Sequence, residues 1–296
     1  MSISTSRQLY RERINHVIDY ISEHISEEIT LETLASVACF SQFHFHRIFT
    51  SLVGETPRDY IERVKLEKAG NRLCMMPDKP ISEIAFECGF TSNATFSRSF
   101  KKHYHLSPTQ FVKQHIHDYH SLNVPAKLTR RHVNEADFSS IRVIALPFYH
   151  VAYAQMLNGY PTGIPKSWKK LLQFASAHDL LTPDTQFLGM PFDNPGITPK
   201  TKCRYRACIT IPESVKLPKG EIRVTDIPAG KYACYHFKGK QEDISDAYAL
   251  LYGIWLPQSG YIPDEKHLLE IYPPELHTTE TCELLEYDIL LPVHPL

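Results

Sequence analysis

Two stretches of this chain alternate apolar and polar positions at helical spacing, in nearly the same order. The first reads LETLASVACFSQFHFHRIFTSLVGETPRDYI, residues 31–61, and the second ISEIAFECGFTSNATFSRSFKKHYHLSPTQFV, residues 81–112. Leu34-Ala35 matches Ile84-Ala85 at an offset of 50, as Phe40-Ser41 matches Phe90-Thr91. Beyond the turn the offset is 51, pairing Arg47 with Arg98, Phe49 with Phe100 and Pro57 with Pro108. A repeated unit says more about organisation than any single residue. Each copy predicts helix, short turn, helix. In the first, Phe45, Ile48, Phe49 and Leu52 share a core-facing stripe, which leaves Phe43, His46, Arg47 and Thr50 on the other face. In the second, Phe96 and Phe100 point inward while Ala94, Ser97, Arg98 and Lys101 point out. Thr56-Pro57 and Ser107-Pro108 read as helix starts, with a hydroxyl at the N-cap and proline in the first turn. Between the copies, residues 58–76 contain no proline and one glycine, Gly70, which predicts a single long helix.

The pattern lapses over residues 118–137, which places a linker there between an N-terminal domain, residues 1–117, and a C-terminal one, residues 138–296. The C-terminal part repeats as well. IRVIALPFYHVAYA (141–154) and IRVTDIPAGKYACY (222–235) match at a constant offset of 81. Each reads as strand, proline turn, strand, followed by a helix, at 167–178 in one half and 244–256 in the other. Further strands are predicted at 204–211, 267–272 and 282–293. The fold class is therefore multi-domain: an all-α N-terminal domain of two helix-turn-helix units, then an α+β domain with a pseudo-symmetric antiparallel sheet and helices. A seam between two such halves is a natural place for a ligand.

Composition narrows the partners. The formal net charge is -1, yet no acidic residue occurs from Thr33 to Gly54 or from Thr91 to His117. Carboxylates there would repel phosphates, whereas arginine and lysine release counterions on binding them. Double-stranded DNA is the expected partner of these helices. A connecting helix of about 18 residues is roughly 27 Å long. Successive major grooves on one face of a duplex lie about 34 Å apart, so both second helices can enter neighbouring grooves. The seven cysteines form no CxxC pair and the sixteen histidines no HExxH, so neither a metal nor another cofactor is expected. No apolar run approaches the roughly 18 residues of a membrane helix, and the first residues lack a signal-peptide pattern. A cytoplasmic location without membrane contact is the expectation.

The motifs I-A-x-x-x-G-F (Ile84 to Phe90), F-S-R-x-F-K-K (Phe96 to Lys102) and Ser107-Pro108 resemble the DNA-binding domain of the AraC/XylS family of bacterial transcription regulators. His105 stands where that family usually has a glycine supporting a left-handed turn. The resemblance implies that Phe43, His46 and Arg47 read the major groove, Arg47 on guanine and Phe43 on a thymine methyl. It implies Asn93, Thr95 and Arg98 as the second unit's candidates, with Lys101 and Lys102 on phosphate. RNA polymerase is a further implied partner. Alternatively, Arg47 and Arg98 are solvated surface charges or pair with Glu62 or Glu83.

The C-terminal stretches Ile227 to Tyr232, Tyr252 to Tyr261 and Leu269 to Tyr272 resemble the GyrI-like effector-binding fold. That resemblance implies a glutamate, Glu270, in an aromatic pocket that meets lipophilic cations. Trp255, which suits the core as well as a pocket wall, Tyr235, Tyr153 and Tyr272 are the candidate pocket residues and Tyr205 a further aromatic, although aromatic side chains on strands usually fill the core. Alternatively Glu270 faces solvent or pairs with Lys231 or Lys266. The implied function is a promoter-binding regulator that senses a small-molecule effector, and not an enzyme. Two alternatives stand beside it: hydrolysis of reactive electrophiles by Glu270 with Tyr235 or Tyr272, and a C-terminal domain that binds a protein partner.

Overall fold

The structure, a computed structural model, describes residues 3–76, 78–119, 140–156, 159–160, 162–218, 220–274 and 285–296. Most of the expected linker, with Arg130-Arg131, and Cys282 lie outside the described residues. The chain divides into two compact units, one helical and one α+β.

The N-terminal unit runs α1 (Ile3–Glu23), α2 (Leu31–Val37), α3 (Gln42–Val53), α4 (Pro57–Met75), α5 (Ile81–Glu87), α6 (Asn93–Tyr104) and α7 (Pro108–Tyr119). The caps are local chemistry. Ser41 and Ser92 accept from the amides of His44 and Thr95 at the starts of α3 and α6. Thr56 accepts from the Asp59 amide ahead of Pro57, and Ser107 and Gln110 bond reciprocally as a capping box. Phe45 and Phe49 of α3, and Phe96 and Phe100 of α6, are fully buried. Leu52 departs from the expectation: at 37% exposure it lies outside the core, beyond the edge of the apolar stripe.

The long helix α4 is unbroken over 19 residues, about 28 Å at 1.5 Å per residue. It packs against α3, α5 and α6, and two of its charged residues, Arg63 and Glu67, are buried. Arg63, 9% exposed, bonds Glu67 at 2.8 Å and Glu55 at 2.8 Å, and its guanidinium lies 5.0 Å from the Tyr60 ring centroid.

Each second helix ends in a left-handed residue, Gly54 at φ 83° and His105 at φ 59°. Glycine enters this region freely, whereas a Cβ there clashes with the following carbonyl. His105→Gly is expected to stabilise the helical unit by about 0.5–1 kcal/mol, the relieved strain exceeding glycine's extra chain entropy. A rise in the urea midpoint at unchanged slope would show it; a fall would mean that the imidazole makes a compensating contact.

The C-terminal unit runs β1 (Arg142–Leu146), β2 (Tyr149–Gln155), α8 (Gly163–Ala177), β3 (Phe187–Pro191), β4 (Tyr205–Thr210), β5 (Ile222–Ile227), β6 (Gly230–Gly239), α9 (Ile244–Ala249), β7 (Tyr261–Pro263), β8 (Leu269–Tyr272) and β9 (Leu285–Pro295). After α9 the chain continues as a π-helical turn, Leu250–Trp255, and a 3-10 turn, Leu256–Gln258. The sheet order is β1-β6-β9-β8-β3-β4-β2-β5, with β7 on β9, and every pairing is antiparallel. The two halves exchange their first strands, since β1 pairs with β6 and β5 with β2. They meet at the centre of the sheet, where β3 pairs with β8. The expected internal symmetry is thus present. Strands β3 and β7 had no counterpart in the sequence pattern.

Candidate functional site

On the helical unit, every expected DNA-reading side chain is exposed. Phe43 is 66% exposed, a large apolar ring left in solvent, and the Arg47 guanidinium sits 5.6 Å from its centroid. His46 shares this exposed surface of α3. On α6, Asn93, Thr95, Arg98, Lys101 and Lys102 are all exposed. Arg98 bonds the Ala94 carbonyl of its own helix at 3.3 Å. Among the described residues neither Arg47 nor Arg98 pairs with Glu62 or Glu83, so both guanidiniums face solvent rather than a carboxylate.

On the α+β unit, strand register decides which side chains share a face. Glu270 pairs with Gly189, Gly189 with Ala207, and Ala207 with Ala154, so these four form one row. On the other side Glu270 pairs with Ile289, and Ile289 with Tyr235. Three small residues therefore flank the acid in the direction of β2. Gly189 is itself 81 residues before Glu270, the offset of the internal repeat. Equivalent positions of the two halves thus face each other across the seam, one carrying a carboxylate and the other no side chain. A Cβ on Gly189 would lie 2.2 Å from the Tyr205 hydroxyl and 2.6 Å from Glu270 Oε2. The seam has room for one acid.

Glu270 is 7% exposed. Tyr272 donates its hydroxyl to Oε2 at 2.6 Å, and Tyr248 of α9 donates to Oε1 at 3.4 Å. Tyr205 Oη lies 3.3 Å from Tyr272 Oη and accepts from Trp168 Nε1 at 3.3 Å. The Trp168 ring meets Tyr272 edge-on at 5.5 Å, and Tyr272 lies 4.9 Å from Tyr287. Among the described residues the carboxylate bonds only phenols. Burial pushes its pKa above the ordinary glutamate value, against the pull of hydrogen bonds from Tyr272, Tyr205 and Tyr248. Burial, with the Glu270 charge second, also raises the pKa values of Tyr160, Tyr205, Tyr248, Tyr272 and Tyr287. A buried carboxylate without a cation is an unfavourable arrangement that a cationic guest would relieve. Half-buried aromatic rings at Tyr160, Trp168, Tyr248 and Tyr272 can offer that guest their π faces.

Comparison with known proteins fixes the relationship. The model of the GyrI-like small molecule binding domain matches residues 139–294, more than half of the chain. The chain belongs to the GyrI-like family. A helix-turn-helix domain model matches residues 34–114, and the N-terminal unit is of the AraC type. A DNA gyrase inhibitor of Yersinia enterocolitica is 27% identical over 136 residues, 45% of this chain and 85% of that protein. The "Probable transcription factor PqrA" of Proteus vulgaris is 37% identical over 83 residues, covering 28% of this chain and 67% of that protein. The "Probable transcriptional regulator LumQ" of Photobacterium leiognathi is 38% identical over 102 residues, 34% of this chain and 41% of its own length. The chain spans between 33% and 41% of the length of the first three curated relatives it matches. Among the described residues no helix is long and apolar enough to cross a membrane.

Within the GyrI-like unit the structure redistributes the expected pocket residues. Tyr272 touches Glu270. Tyr235 shares its face, two strands away. Tyr153 does not: it neighbours Ala154 in the strand and so points to the opposite face, under the Arg206 guanidinium at 4.4 Å. Trp255 is 7% exposed in a core cluster with Leu251, Ile289 and Leu291, its ring stacked on Tyr261 at 6.2 Å. It is a core residue. Glu270 neither faces solvent nor pairs with Lys231, and Lys266 bonds Asp264 instead. Sequence reasoning passed over Trp168, Tyr248, Tyr160, Tyr287 and Gly189. The offset of 81 would have found Gly189; no local signal singles out the others.

Proposed function

We propose that this chain is a bacterial, cytoplasmic transcription regulator. Its helical domain, residues 1–117, binds promoter DNA. Its GyrI-like domain, residues 138–296 beyond a linker at 118–137, senses a lipophilic cation. Phe43, His46 and Arg47 read one major groove and Asn93, Thr95 and Arg98 the next, with Lys101 and Lys102 on phosphate. Effector binding biases DNA affinity or contact with RNA polymerase. The observation that carries the sensing half is Glu270: a buried carboxylate that, among the described residues, bonds only phenols and is ringed by aromatic side chains. Such a site is complementary to a delocalised positive charge with apolar surface. Sensing rather than turnover fits the acid's surroundings, which among the described residues pair it with phenols of raised pKa.

Two measurements test the two halves. Arg47→Ala is expected to weaken specific binding to DNA upstream of its own coding sequence by about 1–3 kcal/mol, with little change on a scrambled duplex. Fluorescence anisotropy measures both, and unchanged specific affinity removes Arg47 from the reading set. Titration of the purified protein with tetraphenylphosphonium, followed by calorimetry and thermal shift, tests the pocket. A bound cation raises the melting temperature by mass action; no heat and no shift across a panel of lipophilic cations refutes the sensing role.

A further inference from the structure

The chain of donors ending on Glu270 has a direction, and Trp168 sets it. An indole N–H donates and accepts nothing. Trp168 Nε1 donates to Tyr205 Oη, at 3.3 Å, so the Tyr205 proton is left for Tyr272, also at 3.3 Å, or for the carboxylate. Tyr272 in turn donates to Glu270 Oε2 at 2.6 Å. Every proton along the line points at the acid. The reversed line would begin with a protonated Glu270 donating to Tyr272, and Tyr272 donating to Tyr205. Tyr205 Oη would then accept from both Trp168 and Tyr272, and its own proton would have to leave the line. The reversed state gives up the hydrogen bond that Tyr205 donates along the line in the forward state.

We propose that Trp168 is a positioning residue that fixes the polarity of a relay, Trp168 to Tyr205 to Tyr272 to Glu270, and so sets the pH above which the carboxylate takes a cation. This rests on the reading of Glu270 as the cation's partner. The relay opposes protonation, while burial favours it. The ionisable groups facing Glu270 among the described residues are Tyr272 of β8, Tyr205 of β4, Tyr248 of α9, Tyr287 of β9 and Tyr160 ahead of α8. All are phenols held neutral, so none competes with Glu270 for the titration. Gly189 leaves the space in which Tyr205 and the acid meet.

Trp168→Phe keeps an aromatic ring and deletes the N–H, and Tyr205→Phe keeps the ring and deletes the middle link. In the full chain, tetraphenylphosphonium affinity is measured against pH for the wild type and both variants. This probe carries a permanent charge, so its own titration cannot enter. Both variants are expected to shift the acidic midpoint of binding upward by about one pH unit, a tenfold change in the acid's proton affinity. A loss of stacking would lower affinity equally at every pH and leave the midpoint in place; that outcome overturns the relay. A ligand-free readout runs in parallel: the protonated-carboxyl stretch of Glu270, assigned by its disappearance in Glu270→Gln and followed by infrared titration. Should the wild type bind no cation at any pH, the sensing role falls, and the infrared midpoint still decides the relay. An infrared midpoint unmoved in both variants refutes it.

Discussion

Glu270→Gln is expected to lower affinity for a lipophilic cation by about 2–5 kcal/mol, the range for removing one member of a buried charge pair, or roughly thirty- to four-thousand-fold. The substitution is isosteric and keeps one acceptor, so one of Tyr272 and Tyr248 still donates to the amide oxygen while the other turns its hydroxyl to accept from the amide nitrogen, and the charge goes. Calorimetry with a permanent cation measures the loss. An equal affinity in the variant would mean that π faces alone hold the guest. The same change makes an opposite prediction for the empty protein. The folded-state pKa of Glu270 is raised above its ordinary value of 4.5. The native state therefore holds that proton more tightly than the unfolded chain. The associated stability is fully present below about 4.5 and is lost as pH rises through the raised folded value. Glu270→Gln removes this loss, so the ligand-free variant is expected to be more stable than the wild type at neutral pH and equal to it in acid. Weaker binding together with a more stable apo state marks a residue retained for its ligand rather than for the fold.

Arg63→Met is expected to destabilise the helical unit by about 3–5 kcal/mol, because it leaves buried carboxylates without their cation. Glu67 is fully buried, and its Oε2 lies 2.8 Å from the Arg63 guanidinium, which also holds Glu55. A loss of this size lowers the thermal midpoint by roughly 10–20 °C in a unit of this length. Adding Glu67→Leu should recover most of the loss, since an apolar pair can replace a buried ion pair at little net change. Circular dichroism melts of the single and double variants measure this. If the single variant melts with the wild type, the pair is solvated in solution and α4 is less enclosed than its contacts indicate. The prediction matters for function because α4 is the rod between the two helix-turn-helix units. Its rigidity governs how α3 and α6 are spaced for a duplex.

The helical half was legible because its signals are local. Apolar residues three and four apart define a face within one helix. A hydroxyl before a proline, or a serine three residues before an amide it can cap, marks a start without reference to the rest of the chain. Repetition at 50–51 residues then showed two units. The family resemblance, rather than any local pattern, implies a left-handed position at His105, and its φ of 59° agrees. Leu52 was misplaced because helical spacing gives the direction of a stripe but not its width, which depends on what packs against it.

The sheet half was legible only as alternation. A strand's pattern states that neighbours point to opposite faces; it does not state which face of one strand joins which face of another. Alternation alone therefore cannot separate the face of Tyr153 from that of Glu270, and Trp168 reaches the acid's neighbours only through the packing of α8 on the sheet. Trp255 suits a pocket wall as well as a core by its sequence, and the structure places it in the core at the end of the π-helical turn Leu250–Trp255. Sequence by itself determined the two domain types, the helix faces, the exposed basic surface and the acid at position 270. Tertiary structure alone decided that Glu270 is buried at a seam, that Gly189 stands opposite it, and that phenols and an indole surround it. The reason is physical: strand register and the packing of α8 on the sheet bring together residues 37 to 104 positions from one another, and no local propensity encodes such pairings.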